Sequence, residues 1–241
     1  MIKKNLIHSN FILNKHLNSY KNNFSLKKVD RIFKEIKNEI RSKKQTLNIL
    51  NKDYKFNLNF SELNRFKKFK TIAIIGMGGS ILGAEAIHQF LKHKIKKKIY
   101  FFNNLDSAKI MNIKNNESLN KVLFIVISKS GNTVETISNF LSLNIIKKKS
   151  KNIIIISEKK NNLLFNLSKK NEIYYIEHNP FIGGRYSVLS EVGIVPAYIM
   201  GINIIKLRKN IRKFLEGNFK KYLKKSSIKL TNILNSKKKI I

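Results

Sequence analysis

A polar stretch at residues 128–136 combines hydroxyls, a lysine and a glycine in an order that suits anion binding. It reads Ser128-Lys129-Ser130-Gly131-Asn132-Thr133-Val134-Glu135-Thr136. An apolar run precedes it and helical spacing follows it, so the polar side chains fall where a strand ends and a helix begins. Free backbone N–H groups and the positive end of the helix dipole meet at such a junction. The stretch therefore predicts a phosphate site, unless Ser130 or Thr133 merely caps the helix.

Two further stretches place glycines beside side chains that could contact a polar ligand. They read Gly76-Met77-Gly78-Gly79-Ser80 and Gly183-Gly184-Arg185-Tyr186-Ser187-Val188-Leu189-Ser190-Glu191-Val192-Gly193. The first does not match a dinucleotide fingerprint, because its glycine spacing differs and no acidic residue ends the second predicted strand. It predicts either a small ligand near bare backbone and Ser80, or a tight turn without a ligand. Arg185 could aim a fork of donors at an oxyanion, or could be an ordinary surface charge.

The elements that position these stretches alternate between strand and helix from residue 71 onward. We expect strands over 71–75, 98–102, 122–127, 152–156 and 172–176, and helices over 81–91, 106–113, from 134 onward and around 162–167. Strands and helices at this spacing predict right-handed crossovers and a sheet covered on both faces. The expected fold class is therefore α/β, a three-layer sandwich with a mostly parallel five-stranded sheet. The loops after the first and third strands would share one rim of that sheet.

Helical segments flank this alternating region on both sides. Residues 1–65 contain no glycine or proline, and one stretch has an apolar stripe with Asp30 as a candidate start: Val29, Ile32, Phe33, Ile36 and Ile40. The last residues return to helical spacing. We therefore expect an N-terminal helical segment at 1–65, a central domain at 66–203, and a C-terminal helical segment at 204–241.

Composition narrows the class of protein. The chain has 241 residues, no cysteine, 49 Lys and Arg against 14 Asp and Glu, and a formal net charge of +35. Such a charge is typical of nucleic-acid binding, but the lysines are spread over nearly every segment and accompany abundant asparagine and isoleucine, as AT-rich codons would produce. We therefore expect no specific nucleic-acid partner. With no export-type start and no membrane-spanning run, we expect no membrane association and a cytoplasmic protein.

Together the three stretches resemble the phosphoglucose isomerase family, which is built from two sugar-isomerase (SIS) domains. The glycine turn resembles the family's first glycine turn, residues 128–136 resemble its phosphate loop, and residues 183–193 resemble its signature around the catalytic arginine. The match runs in order from about 70 to 200, and the third stretch is the most selective. The resemblance implies interconversion of glucose 6-phosphate and fructose 6-phosphate, a reaction of glycolysis and gluconeogenesis.

Carried over by position, the resemblance implies roles for seven residues. Ser128, Ser130 and Thr133 would bind the sugar phosphate with Lys129 beside them, Gly79 and Ser80 would line the sugar, and Arg185 would stabilise the enediolate. It also implies a homodimer, and it requires no cofactor. The five histidines show no ligand spacing with carboxylates, so we expect no metal site.

The sequence also departs from the family's pattern. The family's proton-transferring glutamate lies in a later Glu-Ser-Asn-Gly-Lys type motif, and this motif is absent here. We therefore expect the chain to be the N-terminal part of the enzyme and to be inactive alone. Glu135 and Glu191 are not assigned as the base, and His178 is expected to be an exposed loop residue. The alternative is a sugar-phosphate-binding SIS module without catalysis, acting as a sensor or regulator.

Overall fold

Residues 19–235, apart from 212, 214 and 215, are described by a computed structural model of the chain. The chain divides into two units. The larger runs from Lys43 to Lys209 and contains all three candidate stretches, and the other is formed by residues 1–42 with 210–241. Residues 43–65 and 204–209 thus belong to the larger unit by their contacts, while the division of the chain at 65 and 203 stays a prediction.

Five parallel strands form the centre of the larger unit. They are β1 (Thr71–Gly76), β2 (Lys98–Phe102), β3 (Val122–Ile127), β4 (Ile153–Ser157) and β5 (Tyr174–Glu177). Their order across the sheet is β2-β1-β3-β4-β5, with every neighbouring pair parallel. The predicted α/β fold with a five-stranded sheet is confirmed. The fourth and fifth strands lie one to two residues later than the sequence pattern suggested.

Helices connect these strands and flank them. In the larger unit they are α2 (Phe60–Leu63), α3 (Leu82–Leu91), α4 (Ser107–Asn116), α5 (Val134–Ser142), α6 (Leu163–Lys170), α7 (Glu191–Ile199) and α8 (Ile204–Arg208). Short 3-10 turns cover Gly78–Ser80 and Gly184–Leu189, among others. Each α-helix between two strands thus forms the crossover that a parallel sheet requires.

The helices cover both faces of the sheet. Along β1 the alternate residues Ile72 and Ile74 pack with α3 and α7 on one face. The intervening Ala73 and Ile75 pack with α4, α5 and α6 on the other. Both sets are fully buried, which explains why the strands are continuous apolar runs rather than alternating ones. The expected three layers are present.

The two faces create a crevice between β1 and β3. These strands are neighbours, with Gly76 paired to Ile127, yet the helix after β1 and the helix after β3 lie on opposite faces. Chains that diverge in this way leave a gap beyond the carboxyl ends of the strands, where α/β proteins bind ligands. Both polar loops predicted from the sequence open onto this gap.

The smaller unit contains α1 (Ser19–Arg41) and α9 (Gly217–Asn235). Of the predicted apolar stripe, Phe33 and Ile40 are buried, whereas Ile32 is exposed. The sequence suggested that Asp30 starts this helix, but α1 begins at Ser19. The Asp30 carboxylate pairs with Lys224 instead. Residues 1–18 lie outside the described part of the chain. Among the helices in the described ranges, none is long and apolar enough to cross a membrane.

Candidate functional site

Three hydroxyl groups converge in the loop after β3, residues 128–133, which we call the hydroxyl loop. Ser128 Oγ lies 2.8 Å from Thr133 Oγ1 and 3.4 Å from Ser130 Oγ, and the last two atoms are 3.4 Å apart. Ser128 is 1% exposed, while Ser130 is exposed and Thr133 is half-buried. The loop thus presents two accessible hydroxyls, with the buried Ser128 hydroxyl holding them together from below.

Backbone geometry fixes the hydroxyl loop. Gly131 has a φ of +71°, and its N–H donates to Ser128 Oγ at 3.1 Å. A Cβ at this position would lie 1.9 Å from Asn162 Oδ1, so glycine is required both by the conformation and by the space. Thr133 precedes α5 but makes no side-chain cap to the helix. The capping alternative is therefore wrong for Thr133, whose hydroxyl points into the cluster with Ser128.

The start of α6 packs against the same loop. Asn162 caps α6 by accepting from Phe165 N and donates to Glu158 O. The Leu163 N–H donates to Asn132 Oδ1 at 2.9 Å, and the Leu164 N–H donates to Gly131 O at 3.1 Å. These supporting contacts were missed by the sequence reasoning. The one available signal was an asparagine at the start of a predicted helix.

The glycine turn after β1 lies directly against the arginine stretch. A Cβ on Gly79 would come within 2.3 Å of Gly184 O, so the two backbones touch. Gly78 has a φ of +52° within the 3-10 turn that ends at Ser80. The structure therefore brings together two stretches that are more than a hundred residues apart, at the rim next to the hydroxyl loop.

Buried serines hold the arginine loop, which we define as residues 183–190. Ser187 Oγ donates to Gly184 O at 2.7 Å and lies 3.0 Å from Gly79 O. Ser190 caps α7 by accepting from Val192 N and donates to Ser187 O. By contrast, Arg185 is exposed, and among the described residues its guanidinium has no hydrogen-bonding or ionic partner. The backbone is fixed, and the guanidinium is left available for a ligand.

Lys129 points from the hydroxyl loop toward the segment that leads into the arginine loop. Its Nζ donates to Pro180 O at 2.8 Å and to Ile182 O at 3.0 Å, and it lies 3.5 Å from Glu158 Oε1. The expected role of Lys129 beside the phosphate stays a prediction. In the structure its ammonium group contacts protein groups: two backbone carbonyls and one carboxylate.

The carboxylate nearest to Arg185 in the sequence is enclosed. Glu191 is 0% exposed, and its Oε1 accepts from the backbone N–H of Asn57 at 2.9 Å. Burial raises the pKa of Glu191, with that N–H and the neighbouring Arg208 acting in the opposite direction. A carboxylate with no access to solvent anchors the chain before β1 rather than facing a ligand.

His178 is buried at 1% exposure, so the expectation of an exposed loop histidine is wrong. Its Nε2 lies 3.2 Å from Ile182 O, and Nδ1 has no partner among the described residues. Burial lowers the pKa of His178 to about 4. The reason for the error is tertiary: the segment 179–182 folds over the ring, which sequence position alone does not reveal. His178 is therefore neutral at physiological pH and acts as packing beneath this segment.

The site has the character of an oxyanion site without a metal cage. In the described part of the chain, no group of three His, Cys, Asp or Glu side chains could hold a metal ion. The loops instead carry three hydroxyls at the amino end of α5 and, on the arginine loop, a guanidinium without a partner among the described residues. Such donors suit a phosphate at one end of a ligand and a developing oxyanion at the other.

Comparisons with known proteins identify a family. Residues 40–229 match the family model for phosphoglucose isomerase. A probable glucose-6-phosphate isomerase from Methanococcus maripaludis is 37% identical over 207 residues, covering 81% of this chain and 45% of that protein. The glucose-6-phosphate isomerase of Methanocaldococcus jannaschii is 30% identical over 67% of this chain and 41% of its own length. The chain thus spans less than half the length of these relatives.

Solved structures share the fold. The hypothetical protein TT0462 from Thermus thermophilus superposes with a TM-score of 0.62 at 21% identity, over 73% of this chain and 45% of that one. A glucose-6-phosphate isomerase from Chlamydia trachomatis gives 0.51 at 23% identity, over 70% and 32%. At these identities the likeness establishes the fold alone. The family match across 190 consecutive positions, 40–229, is what places this chain in the phosphoglucose isomerase family.

Proposed function

We propose that this chain provides the substrate-binding part of an aldose–ketose isomerase that interconverts glucose 6-phosphate and fructose 6-phosphate. One observation carries the proposal: three hydroxyls lie within 2.8–3.4 Å of one another beside a loop whose arginine has no protein partner in the described residues. Membership of the family supports the choice of substrate. A cytoplasmic location and a homodimer belong to the same proposal.

In this proposal the phosphate occupies the hydroxyl loop. Ser130 and Thr133 donate their hydroxyls to it, Ser128 orients both from below, and the amino end of α5 adds its partial positive charge. Gly79 and Ser80 line the sugar, because the glycine turn contacts the arginine loop and follows β1, the strand paired with the one that leads into the hydroxyl loop. Binding at the phosphate end fixes the position of the reacting carbons.

Arg185 acts at the other end of the sugar. A base removes the proton from C2 of the open-chain glucose 6-phosphate, and the C1 oxygen takes up the charge of the resulting enediolate. Transfer of the C2 hydroxyl proton to the C1 oxygen, together with return of a proton to C1, leaves the carbonyl at C2, as in fructose 6-phosphate. A guanidinium that is already in place needs little reorganisation as the oxyanion forms, and this lowers the barrier to turnover.

The base is proposed to lie outside the loops described above. Glu191 is enclosed and its Oε1 accepts from a backbone N–H. Burial has lowered the pKa of His178 to about 4 and hidden its ring. In the family that the sequence resembles, the base is a glutamate in a later motif. We therefore expect this chain to bind the sugar phosphate and to turn it over only when that carboxylate is supplied.

A second candidate is a sugar-phosphate-binding SIS module without catalysis. It is favoured by one observation: the hydroxyl loop is fully organised, while the carboxylate of the arginine stretch, Glu191, is sequestered. The two candidates share the ligand and differ in turnover.

A coupled assay on the 241-residue chain separates them, run beside calorimetric titration with 5-phosphoarabinonate. This five-carbon sugar acid phosphate carries a carboxylate that mimics the enediolate charge. Binding without turnover is expected, and adding the remaining isomerase sequence should then restore turnover; if it does not, the module without catalysis is favoured. Turnover by the chain alone would put the base within it, and Glu135, Glu191 and His178 would be tested as glutamine variants. Absence of binding would overturn both candidates.

A further inference from the structure

We propose that Lys129 is a positioning residue for Arg185, joining the hydroxyl loop to the arginine loop, rather than a ligand of the phosphate. The proposal rests on the function proposed above. It starts from the partners of the Lys129 ammonium, which are two backbone carbonyls of the segment 180–182 and the carboxylate of Glu158.

The ammonium group is already engaged by protein partners. A lysine side chain offers three N–H donors, and Lys129 donates to two carbonyls at 2.8 and 3.0 Å and forms an ion pair with a carboxylate at 3.5 Å. Glu158 is buried, and its backbone N–H donates to Lys129 O, so the partner carboxylate is itself held next to the hydroxyl loop. The side chain of Lys129 is one-third exposed.

The segment that Lys129 holds leads directly to Arg185. Residues 180–182 precede Gly183-Gly184, and Lys129 Nζ donates hydrogen bonds to the carbonyls at both ends of this segment. Below it, the buried His178 ring also lies against Ile182 O at 3.2 Å. Ser187 and the Gly79 contact fix the arginine loop itself, and Lys129 fixes the segment that enters it, so these anchors together decide where the guanidinium can reach.

This arrangement connects the two ends of the substrate site. Lys129 lies between Ser128 and Ser130, so a phosphate held by these hydroxyls also holds in place the backbone from which the ammonium reaches out. Binding energy from the non-reacting phosphate would thereby be used to place Arg185 at the reacting carbons. A coupling of this kind is measured as the interaction energy between two substitutions.

The test is a double-mutant cycle on the 241-residue chain with two probes. Inorganic phosphate reports on the hydroxyl loop alone, and 5-phosphoarabinonate requires the arginine as well. We expect Lys129→Met to weaken the binding of 5-phosphoarabinonate by about tenfold and to change the affinity for phosphate by no more than about twofold. Adding Arg185→Ala to Lys129→Met should cost no more than Arg185→Ala alone. A loss of affinity for both probes would not fit a positioning role.

Lys160 supplies the matched control, since it also pairs with Glu158 but is exposed. Lys160→Met should leave both affinities unchanged. Lys129→Gln keeps an uncharged NH2 group with two N–H donors and should give an intermediate loss of affinity for 5-phosphoarabinonate. It replaces Lys129→Met if that variant fails to fold.

Two results would overturn the inference in different ways. If Lys129→Met weakens phosphate and 5-phosphoarabinonate equally, and its effect adds to that of Arg185→Ala, then Lys129 is a direct phosphate ligand and the proposed function survives. If the unmodified chain binds neither probe, the proposed function itself fails and this inference fails with it.

Discussion

The hydroxyl loop and the arginine loop are organised in opposite ways. In the hydroxyl loop the functional side chains hold one another, with Ser128 Oγ 2.8 Å from Thr133 Oγ1 and a glycine in the left-handed region closing the turn. In the arginine loop the backbone is fixed, through the Gly79–Gly184 contact and Ser187, while the functional side chain has no partner in the described residues.

This difference matches what each loop is proposed to bind. A phosphate carries its charge before and after the reaction, so a preformed hydroxyl cluster contributes affinity. An enediolate charge exists only during the reaction, so a guanidinium without protein partners contributes mainly to turnover. One loop is therefore expected to control binding and the other to control rate.

Arg185→Ala gives the largest expected effect. In a form of the protein that turns the substrate over, kcat should fall by roughly 100–1000-fold while KM changes little, because a donor to a transition-state oxyanion is lost. Steady-state kinetics with fructose 6-phosphate measure this. An unchanged kcat would show that the arginine is only a surface charge, and the contrast between the two loops would disappear.

Gly79→Ala should break the contact between the two loops. The new Cβ would meet the backbone oxygen of Gly184 at 2.3 Å, and neither backbone can move without disturbing the other. We expect a loss of about 3 kcal/mol in the free energy of unfolding, measured by urea denaturation.

Gly184→Ala is the matched control on the other side of the same contact. Its Cβ would lie 3.7 Å from the Gly79 Cα, an ordinary van der Waals distance. Equal destabilisation by both variants would contradict the proposed packing of the glycine turn against the arginine loop.

His178 should make stability depend on pH. Burial lowers its pKa from 6.5 to about 4, so the unfolded chain binds this proton more tightly than the folded chain does. The stabilisation is fully present above pH 6.5 and is lost as the pH falls toward 4, which amounts to about 2 kcal/mol between pH 7 and pH 5.

The measurement is urea denaturation of the unmodified chain and of His178→Gln at both pH values. The difference in unfolding free energy between the two proteins should shrink at pH 5, because glutamine does not titrate. Glu191, whose pKa burial raises, acts with the opposite sign in both proteins and so cancels. A difference that stays constant with pH would mean that the His178 ring is accessible to water.

Substitutions in the hydroxyl loop should have the smallest effects of this series, and these effects should appear in binding affinity rather than in kcat. Ser130→Ala and Thr133→Val each remove one donor to the phosphate and should weaken binding by about tenfold, equivalent to ~1.4 kcal/mol. Calorimetry with 5-phosphoarabinonate measures this. A lowered kcat with unchanged affinity in both variants would contradict the expectation that the hydroxyl loop controls binding and the arginine loop controls rate.

Much of the fold could be predicted from the sequence because the strands are buried on both faces. The stretch Val122–Ile127 is apolar at every position, and β2 and β3 were placed with the observed bounds. Boundaries were less certain where polar residues lie at a strand end, as at β5, which starts at Tyr174. Asp30 was wrongly predicted to start a helix, although it lies in the middle of α1. Its carboxylate pairs with Lys224, nearly two hundred residues away, and a local sequence pattern does not reveal such a partner.

The sequence predicted which residue types the loops carry but not how the loops are connected, and the assignment of these residues to a substrate site stays a prediction. Hydroxyls between a strand and a helix indicated an anion site, because that chemistry is local. The partners of Lys129 lie about fifty residues further along the chain, and the Gly79–Gly184 contact spans more than a hundred. No local pattern encodes contacts of this kind. The burial of His178 was missed for the same reason.

The most direct test of the proposed substrate site is calorimetric titration of the 241-residue chain with fructose 6-phosphate and, separately, with fructose. We expect binding of fructose 6-phosphate that is weakened about a hundredfold when Ser130→Ala and Thr133→Val are combined, and no measurable binding of fructose. Equal binding of the two sugars, or fructose 6-phosphate affinity unchanged in the double variant, would contradict the assignment of the hydroxyl loop as the phosphate site.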